Sequence, residues 1–226
     1  MDQSPRLPGG PIAKRPLHLI FLLDVSGSMR VDGKIQALNN AIRQALPAIS
    51  GESDHDVRAN LLVRAVTFSN GARWYVEHPT PVRDFVWTDV TADGDTDMGA
   101  ALRLVAEALR MPPMEIRSLP PVLVLMTDGQ PTDDFVGGLK ALQDEFWGQR
   151  AVRVGIAIGR SADRRCLSEF IDDPRRPVLD AYNAVSLAKQ IEFASTLAIG
   201  YASGDRPPGA IAPAAPGPAD DGYVWE

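Results

Sequence analysis

The sequence has 226 residues, a formal net charge of −6 and a single cysteine, Cys166. This length favours one substantial domain with tails, and such a domain buries enough core to fold without a disulfide or a structural metal. The acidic balance argues against nucleic acid as a partner, and a lone cysteine is typical of a reducing compartment. Because no segment has the pattern of a signal peptide or a membrane span, we expect a cytoplasmic protein.

Apolar runs and segments of helical periodicity alternate along the chain. Strands are predicted at 17–23, 57–68, 72–77, 122–126, 152–158 and 177–179, the third as a hairpin partner of the second and the last as a short edge strand. Amphipathic helices are predicted at 34–49, 98–109, 133–147, 163–171 and 184–198. This alternation predicts an α/β fold with a doubly wound, mostly parallel sheet flanked by helices on both faces.

The composition changes at both ends of the chain. Residues 1–16 predict a flexible N-terminal segment, and the Pro/Ala-rich residues 202–226 predict a flexible C-terminal tail, which leaves 17–201 as the domain. Tyr223 and Trp225 lie in this tail, where an exposed aromatic side chain suggests a motif that docks on a partner. The alternative is a disordered end with no role.

Three polar loops, each placed after a predicted strand, contain the candidate site residues. Asp24, Ser26 and Ser28 lie in the first loop, Thr96 in the second and Asp128 in the third. Such loops meet at the edge of a parallel sheet where the strand order reverses, and two carboxylates would repel there unless a cation lay between them. Oxygen donors suit a hard divalent cation better than zinc, so we expect Mg²⁺, with Mn²⁺ or Ca²⁺ as alternatives.

Other interpretations of these loops compete with this metal site. Serine and aspartate commonly cap a helix N-terminus, and the first loop alone does not distinguish a cap from a ligand set. An EF-hand that starts at Asp93 fails, because Met98 and Leu104 stand where that motif requires glycine and glutamate. Nucleophilic catalysis would need a base beside Ser26 or Ser28, and no histidine is near either serine in the sequence.

Taken together, the three loops resemble those of von Willebrand factor A domains over about residues 17–199. The first loop matches the Asp-x-Ser-x-Ser motif of that family, and Thr96 and Asp128 resemble its later threonine and aspartate. The resemblance implies a metal-ion-dependent adhesion site in which Ser26, Ser28 and Thr96 bind the metal directly, and Asp24 and Asp128 bind it directly or through water. It also implies a binding module, not an enzyme, in which an Asp or Glu of a partner protein completes the coordination.

Two longer stretches, 22–30 and 126–134, together with 37–40, resemble bacterial tellurite-resistance proteins of the TerY-like type. That resemblance implies a stand-alone cytoplasmic protein of a stress, tellurite-resistance or conflict system. It also implies partners that are similar to serine/threonine kinases and to PP2C phosphatases.

One departure from the family pattern concerns Thr96, which is flanked by Asp95 and Asp97. We expect these two acids to be accessory groups near the metal, where they strengthen cation binding or replace a water. The alternative function is a Mg²⁺- or Mn²⁺-dependent phosphohydrolase or phosphotransferase that uses the same carboxylates. The missing base and the absence of a phosphate-binding loop from the sequence argue against that enzyme.

Overall fold

The computed structural model describes residues 14–55 and 59–203 together with Trp225. Its strands are β1 (Arg15–Asp24), β2 (Ala59–Ser69), β3 (Gly71–Pro81), β4 (Val122–Thr127), β5 (Val152–Ile158) and β6 (Leu179–Ala181). Its α-helices are α1 (Lys34–His55), α2 (Met98–Ala108), α3 (Phe135–Asp144), α4 (Phe146–Arg150), α5 (Arg164–Ile171) and α6 (Ala184–Ser203). Short 3-10 segments cover Gly27–Gly33 and Val82–Asp84.

The six strands form one sheet in the order β3-β2-β1-β4-β5-β6. All neighbours are parallel except β2 and β3, which form an antiparallel hairpin through Asn70 and Gly71. The predicted doubly wound, mostly parallel sheet is therefore confirmed. The strand order reverses between β1 and β4, so a crevice opens at their carboxyl ends, where ligands bind in sheets of this kind.

Side chains alternate between the two faces of the sheet and create two hydrophobic cores. Leu19, Phe21 and Leu23 of β1 face the core that is completed by α1 and α6. Ile20 and Leu22 face the opposite core, which α2, α3 and α5 complete. Because both faces are covered, β1 reads as a nearly continuous apolar run that ends at the first polar loop.

The predicted helix over residues 133–147 is wrong as a single element. The structure has two helices, α3 and α4, and the backbone of Glu145 between them is extended, with φ −83° and ψ 142°. Leu142 and Trp147 are both buried in the same core. In one straight helix, side chains five residues apart would point about 140° away from each other, so the break is what brings Trp147 onto the sheet.

Several other element ends differ from the sequence prediction, most clearly in α1, α6 and the last strand. Helices α1 and α6 run six and five residues further than 49 and 198, to His55 and Ser203, and α1 continues through Pro47. The last strand lies at Leu179–Ala181 instead of 177–179. Periodicity predicts where a buried stripe lies, but it does not predict how far a helix continues beyond that stripe.

The prediction that Trp225 is exposed is wrong. Its side chain is only 3% exposed and belongs to the core on the α1 and α6 side of the sheet. The burial of a large aromatic ring is favourable, but the Pro/Ala-rich composition around this position in the sequence gives no sign of it. Tyr223 lies outside the described residues.

Within the described residues, no helix is both long enough and apolar enough to cross a bilayer.

Candidate metal site

The carboxyl end of β1 supplies the first group of the site, Asp24, whose side chain is fully buried. Its Oδ1 accepts a hydrogen bond of 2.8 Å from the backbone N–H of Ser26, and its Oδ2 accepts one of 2.5 Å from the hydroxyl of Thr127. Burial raises the pKa of Asp24 to about 6, the two hydrogen bonds oppose that rise, and the charge of Asp128 adds to it. The carboxyl group is therefore held in place by two hydrogen bonds in an environment that disfavours its ionised form.

The serines of the first loop and the aspartate after β4 meet at the point where the strand order reverses. The Oγ atoms of Ser26 and Ser28 are 3.0 Å apart, and the Ser28 hydroxyl donates to Asp128 Oδ1 over 2.6 Å. Asp128 and Ser26 are buried, whereas Ser28 is exposed. The cluster thus has a closed floor and one side that is open to solvent.

Thr96 approaches this cluster from the second loop, beside Gly129. A Cβ atom placed on Gly129 would lie 3.5 Å from Thr96 Oγ1 and 3.9 Å from Ser28 Oγ. Glycine at this position leaves free the space that the two hydroxyl groups face, and Thr96 itself is 7% exposed. The structure therefore brings together all five residues that the sequence predicts as metal ligands.

Backbone hydrogen bonds hold the loops together around the cluster. The N–H of Gly27 donates to Gly94 O over 2.8 Å, and the N–H of Thr132 donates to Thr96 O over 3.0 Å. The hydroxyl of Thr132 in turn accepts the N–H of Thr96 at 2.9 Å. Thr96 is thus fixed by a reciprocal pair of bonds, which its place in a polar loop does not indicate.

The two acids beside Thr96 have different surroundings. Asp97 accepts the N–H of Gly71 at 2.6 Å and the hydroxyl of Thr132 at 3.0 Å, so both of its oxygens tie neighbouring loops together. Asp95 is exposed, and its backbone N–H donates to Asn70 Oδ1 over 2.9 Å. Asp97 is thereby a structural link between the β2–β3 hairpin and the loop after β4, while Asp95 lies at the solvent side of the second loop.

Sequence reasoning missed Lys34, the first residue of α1. Its Nζ lies 3.0 Å from Asp128 Oδ2, and the two side chains are 5% and 0% exposed, so this is a buried ion pair inside the cluster. A lysine is unfavourable at a helix N-terminus because of the helix dipole. A lysine at that position, six residues after Ser28, is the signal that could have indicated a carboxylate partner.

The donor set fits a hard divalent cation. Neighbouring oxygens around an octahedral ion with bonds of about 2.1 Å are about 3 Å apart, which is close to the serine and aspartate spacings in this cluster. The cluster contains two buried carboxylates, Asp24 and Asp128, and one buried ammonium group, Lys34, so its net charge is negative and favours a cation. Within the described residues, no three His, Cys, Asp or Glu side chains are placed together so that they could hold a metal ion.

The family model for the von Willebrand factor type A domain matches residues 18–192. The chain therefore belongs to the von Willebrand factor type A domain family. Members of this family are generally interaction modules, and a metal-ion-dependent adhesion site is known among its structural neighbours. A comparison with curated proteins gives no match.

Solved structures with the same fold come from diverse proteins. A von Willebrand factor type A protein from Catenulispora acidiphila superimposes with a TM-score of 0.62 at 18% identity, over 83% of this chain and 43% of that one. Proximal thread matrix protein 1 from the mussel byssus, with a zinc-occupied adhesion site, gives 0.59 at 17% identity, over 81% and 48%. The pilus adhesin SpaC from Lactobacillus rhamnosus GG, in its open conformation, gives 0.65 at 13% identity, over 83% and 30%. This chain thus spans less than half the length of each of these proteins, and at such identities the likeness shows the fold alone.

Proposed function

We propose that this protein is a metal-dependent protein-interaction module whose ion is held by Asp24, Ser26, Ser28, Thr96 and Asp128. The observation that carries the proposal is the convergence of two buried carboxylates and three hydroxyl groups where the strand order reverses. The residues bind and orient the ion, and the ion supplies an open coordination position for a carboxylate. The exposed side at Ser28 is where an Asp or Glu of a partner protein would enter.

Mg²⁺ is the ion that we propose, with Mn²⁺ or Ca²⁺ as alternatives. All five side chains offer oxygen, and neutral hydroxyl oxygens suit a hard cation better than a softer one. A zinc ion occupies the adhesion site of the mussel protein, so zinc belongs in any comparison of affinities. This choice would be contradicted if Zn²⁺, and not Mg²⁺, occupied the site when both ions were present at their free concentrations in a cell.

The biological setting is a finer part of the proposal. The likeness of 22–30 and 126–134 to TerY-like proteins supports a cytoplasmic role in a bacterial stress or tellurite-resistance system. Its partners there would be similar to a serine/threonine kinase and a PP2C phosphatase. We propose 17–201 as the domain that carries this function, with flanking segments at 1–16 and 202–226.

Partner capture with and without a chelator tests the proposed function. The tagged protein should retain its partners in Mg²⁺ at a concentration on the order of 1 mM and release them in EDTA, because the ion would bridge the two proteins. Asp24→Ala combined with Ser26→Ala should abolish capture and leave a folded domain. Asp84→Ala is the control, because Asp84 is exposed and follows the end of β3. That end pairs with the first half of β2, away from the carboxyl ends of the parallel strands. Capture that is unchanged in EDTA contradicts the proposal.

A further inference from the structure

Trp225 makes two specific hydrogen bonds in addition to its burial. Its backbone N–H donates to Tyr182 O over 2.9 Å, and its indole Nε1–H donates to Asp32 O over 3.2 Å. Tyr182 lies just before α6, and Asp32 lies in the 3-10 segment Gly27–Gly33, which also contains Ser28. The indole thus joins the start of the last helix to the loop that contributes the serines of the metal site.

The turn that Trp225 contacts leads directly into the ion pair of the metal site. Asp32 and Gly33 both have positive φ values, 58° and 72°, and α1 begins at the next residue, Lys34. A left-handed conformation at a residue other than glycine costs free energy and persists only where neighbouring contacts hold it. The Asp32 carbonyl is held by the indole, and two residues later Lys34 Nζ contacts Asp128.

We propose that Trp225 is a positioning residue for the metal site, a latch that holds the Gly27–Gly33 segment in the geometry that binds the ion. It acts through Asp32 and Lys34 on Ser28 and Asp128. The proposal rests on the proposed function, because it assigns to Trp225 an effect on the affinity of that site. Release of the latch loosens the turn and weakens metal binding without removing a ligand.

Calorimetric titration of metal-free protein with Mg²⁺ tests the latch. Trp225→Ala should weaken Mg²⁺ binding by about 3- to 30-fold, the range expected for a contact that couples to a site without forming it. Trp225→Phe keeps the ring and loses the donor to Asp32, so its affinity should lie between those of the wild type and Trp225→Ala. The titrations are run at a temperature where circular dichroism shows every variant folded.

A matched control separates positioning from a general loss of stability. Trp147 is 4% exposed, like Trp225, but it lies in the core on the other face of the sheet, and its Nε1 has no acceptor among the described residues. Trp147→Ala should lower the melting temperature as Trp225→Ala does, yet leave Mg²⁺ affinity unchanged. Equal affinity in Trp225→Ala and the wild type, or an equal loss in both alanine variants, overturns the proposal.

Two further measurements keep the latch distinct from the metal-binding proposal. In metal-free protein, Trp225→Ala should accelerate amide hydrogen exchange across residues 27–33, and unchanged exchange there contradicts the latch even if the wild type binds no ion. A variant that lacks residues 204–226 should regain its slow exchange when a peptide of residues 219–226 is added, and failure of that peptide to protect 27–33 also contradicts the latch. Absence of Mg²⁺ binding by the wild type would instead overturn the proposed function.

Discussion

Asp24 combines full burial with an ionisable carboxyl group, and this combination should make the proposed metal binding depend on pH. The pKa of its carboxyl group rises from 3.8 to about 6, first because burial penalises the ionised form. Compared with the unfolded chain, the metal-free fold therefore favours the protonated form of Asp24. The stability that this form contributes is fully present below pH 3.8 and is lost as the pH rises through about 6. At pH 7 the ionised carboxylate costs the fold about 3 kcal/mol, which a bound cation offsets.

Metal affinity should therefore fall with acidification. Protonation of Asp24 competes with the ion, and for one group with a pKa near 6 the dissociation constant of Mg²⁺ should be about tenfold larger at pH 5 than at pH 7.5. Titration calorimetry at the two pH values, with the fold checked by circular dichroism, measures this ratio. Equal dissociation constants at both values would show that Asp24 does not bind the ion in its ionised form.

The buried ammonium group of Lys34 should stabilise the metal-free protein by balancing the charge of Asp128. Without metal, Lys34→Met leaves the buried Asp128 carboxylate without its ammonium partner, and the free energy of unfolding should fall by about 3–5 kcal/mol. Saturating Mg²⁺ should recover a large part of this loss, because the ion then supplies the positive charge. Urea denaturation in EDTA and in Mg²⁺ measures both values.

Lys140→Met is the matched control for that experiment. Lys140 pairs with Asp144 over 2.7 Å, but the two side chains are 72% and 62% exposed. Its replacement should cost less than about 1 kcal/mol, with or without metal. If Lys34→Met loses no more than this control, or loses the same amount in both buffers, Lys34 does not balance the charge of the metal site.

At the scale of elements, the contact between α2 and the start of α3 determines where Thr96 lies. A Cβ atom on Gly99 would be 2.3 Å from Asp134 O, and both oxygens of Asp133 accept N–H groups of Gly99 and Ala100 at 2.7 Å. The N-terminus of α2 is therefore held against the loop that follows β4. Thr96 lies three residues before Gly99, so this packing brings the proposed ligand of the second loop close to that of the third, Asp128.

Gly99→Ala should consequently weaken both the fold and the site. Backbone must move to admit the methyl group, so we expect a loss of about 1–3 kcal/mol in the free energy of unfolding and a weaker affinity for Mg²⁺. Gly51→Ala in α1 is the control: its Cβ meets nothing within 4 Å, and alanine in a helix should stabilise the protein by about 0.5–1 kcal/mol. Thermal melts and Mg²⁺ titrations of both variants compare them. Unchanged affinity in Gly99→Ala would contradict the role of this contact.

For the molecule as a whole, the sequence predicts the contacts that follow from the ends of parallel strands and misses the contacts that depend on side-chain packing. The apolar runs of β1 and β4 and the polar residues that end them are sufficient to predict the sheet and the meeting of Asp24 with Asp128. The pairing of Lys34 with Asp128 joins residues 94 positions apart, and the return of Trp225 to Asp32 joins residues 193 positions apart. Neither contact leaves a periodic signal, because each depends on packing that only the folded chain creates.

Crystals of the protein soaked in Mn²⁺ and measured near the manganese absorption edge would test the metal site most directly. We expect one strong anomalous peak at the carboxyl ends of β1 and β4, within coordinating distance of the Oγ atoms of Ser26 and Ser28 and of Thr96 Oγ1. Asp24 and Asp128 should contact the ion directly or through water. A peak elsewhere, or no peak at this position at saturating Mn²⁺, would contradict the metal site.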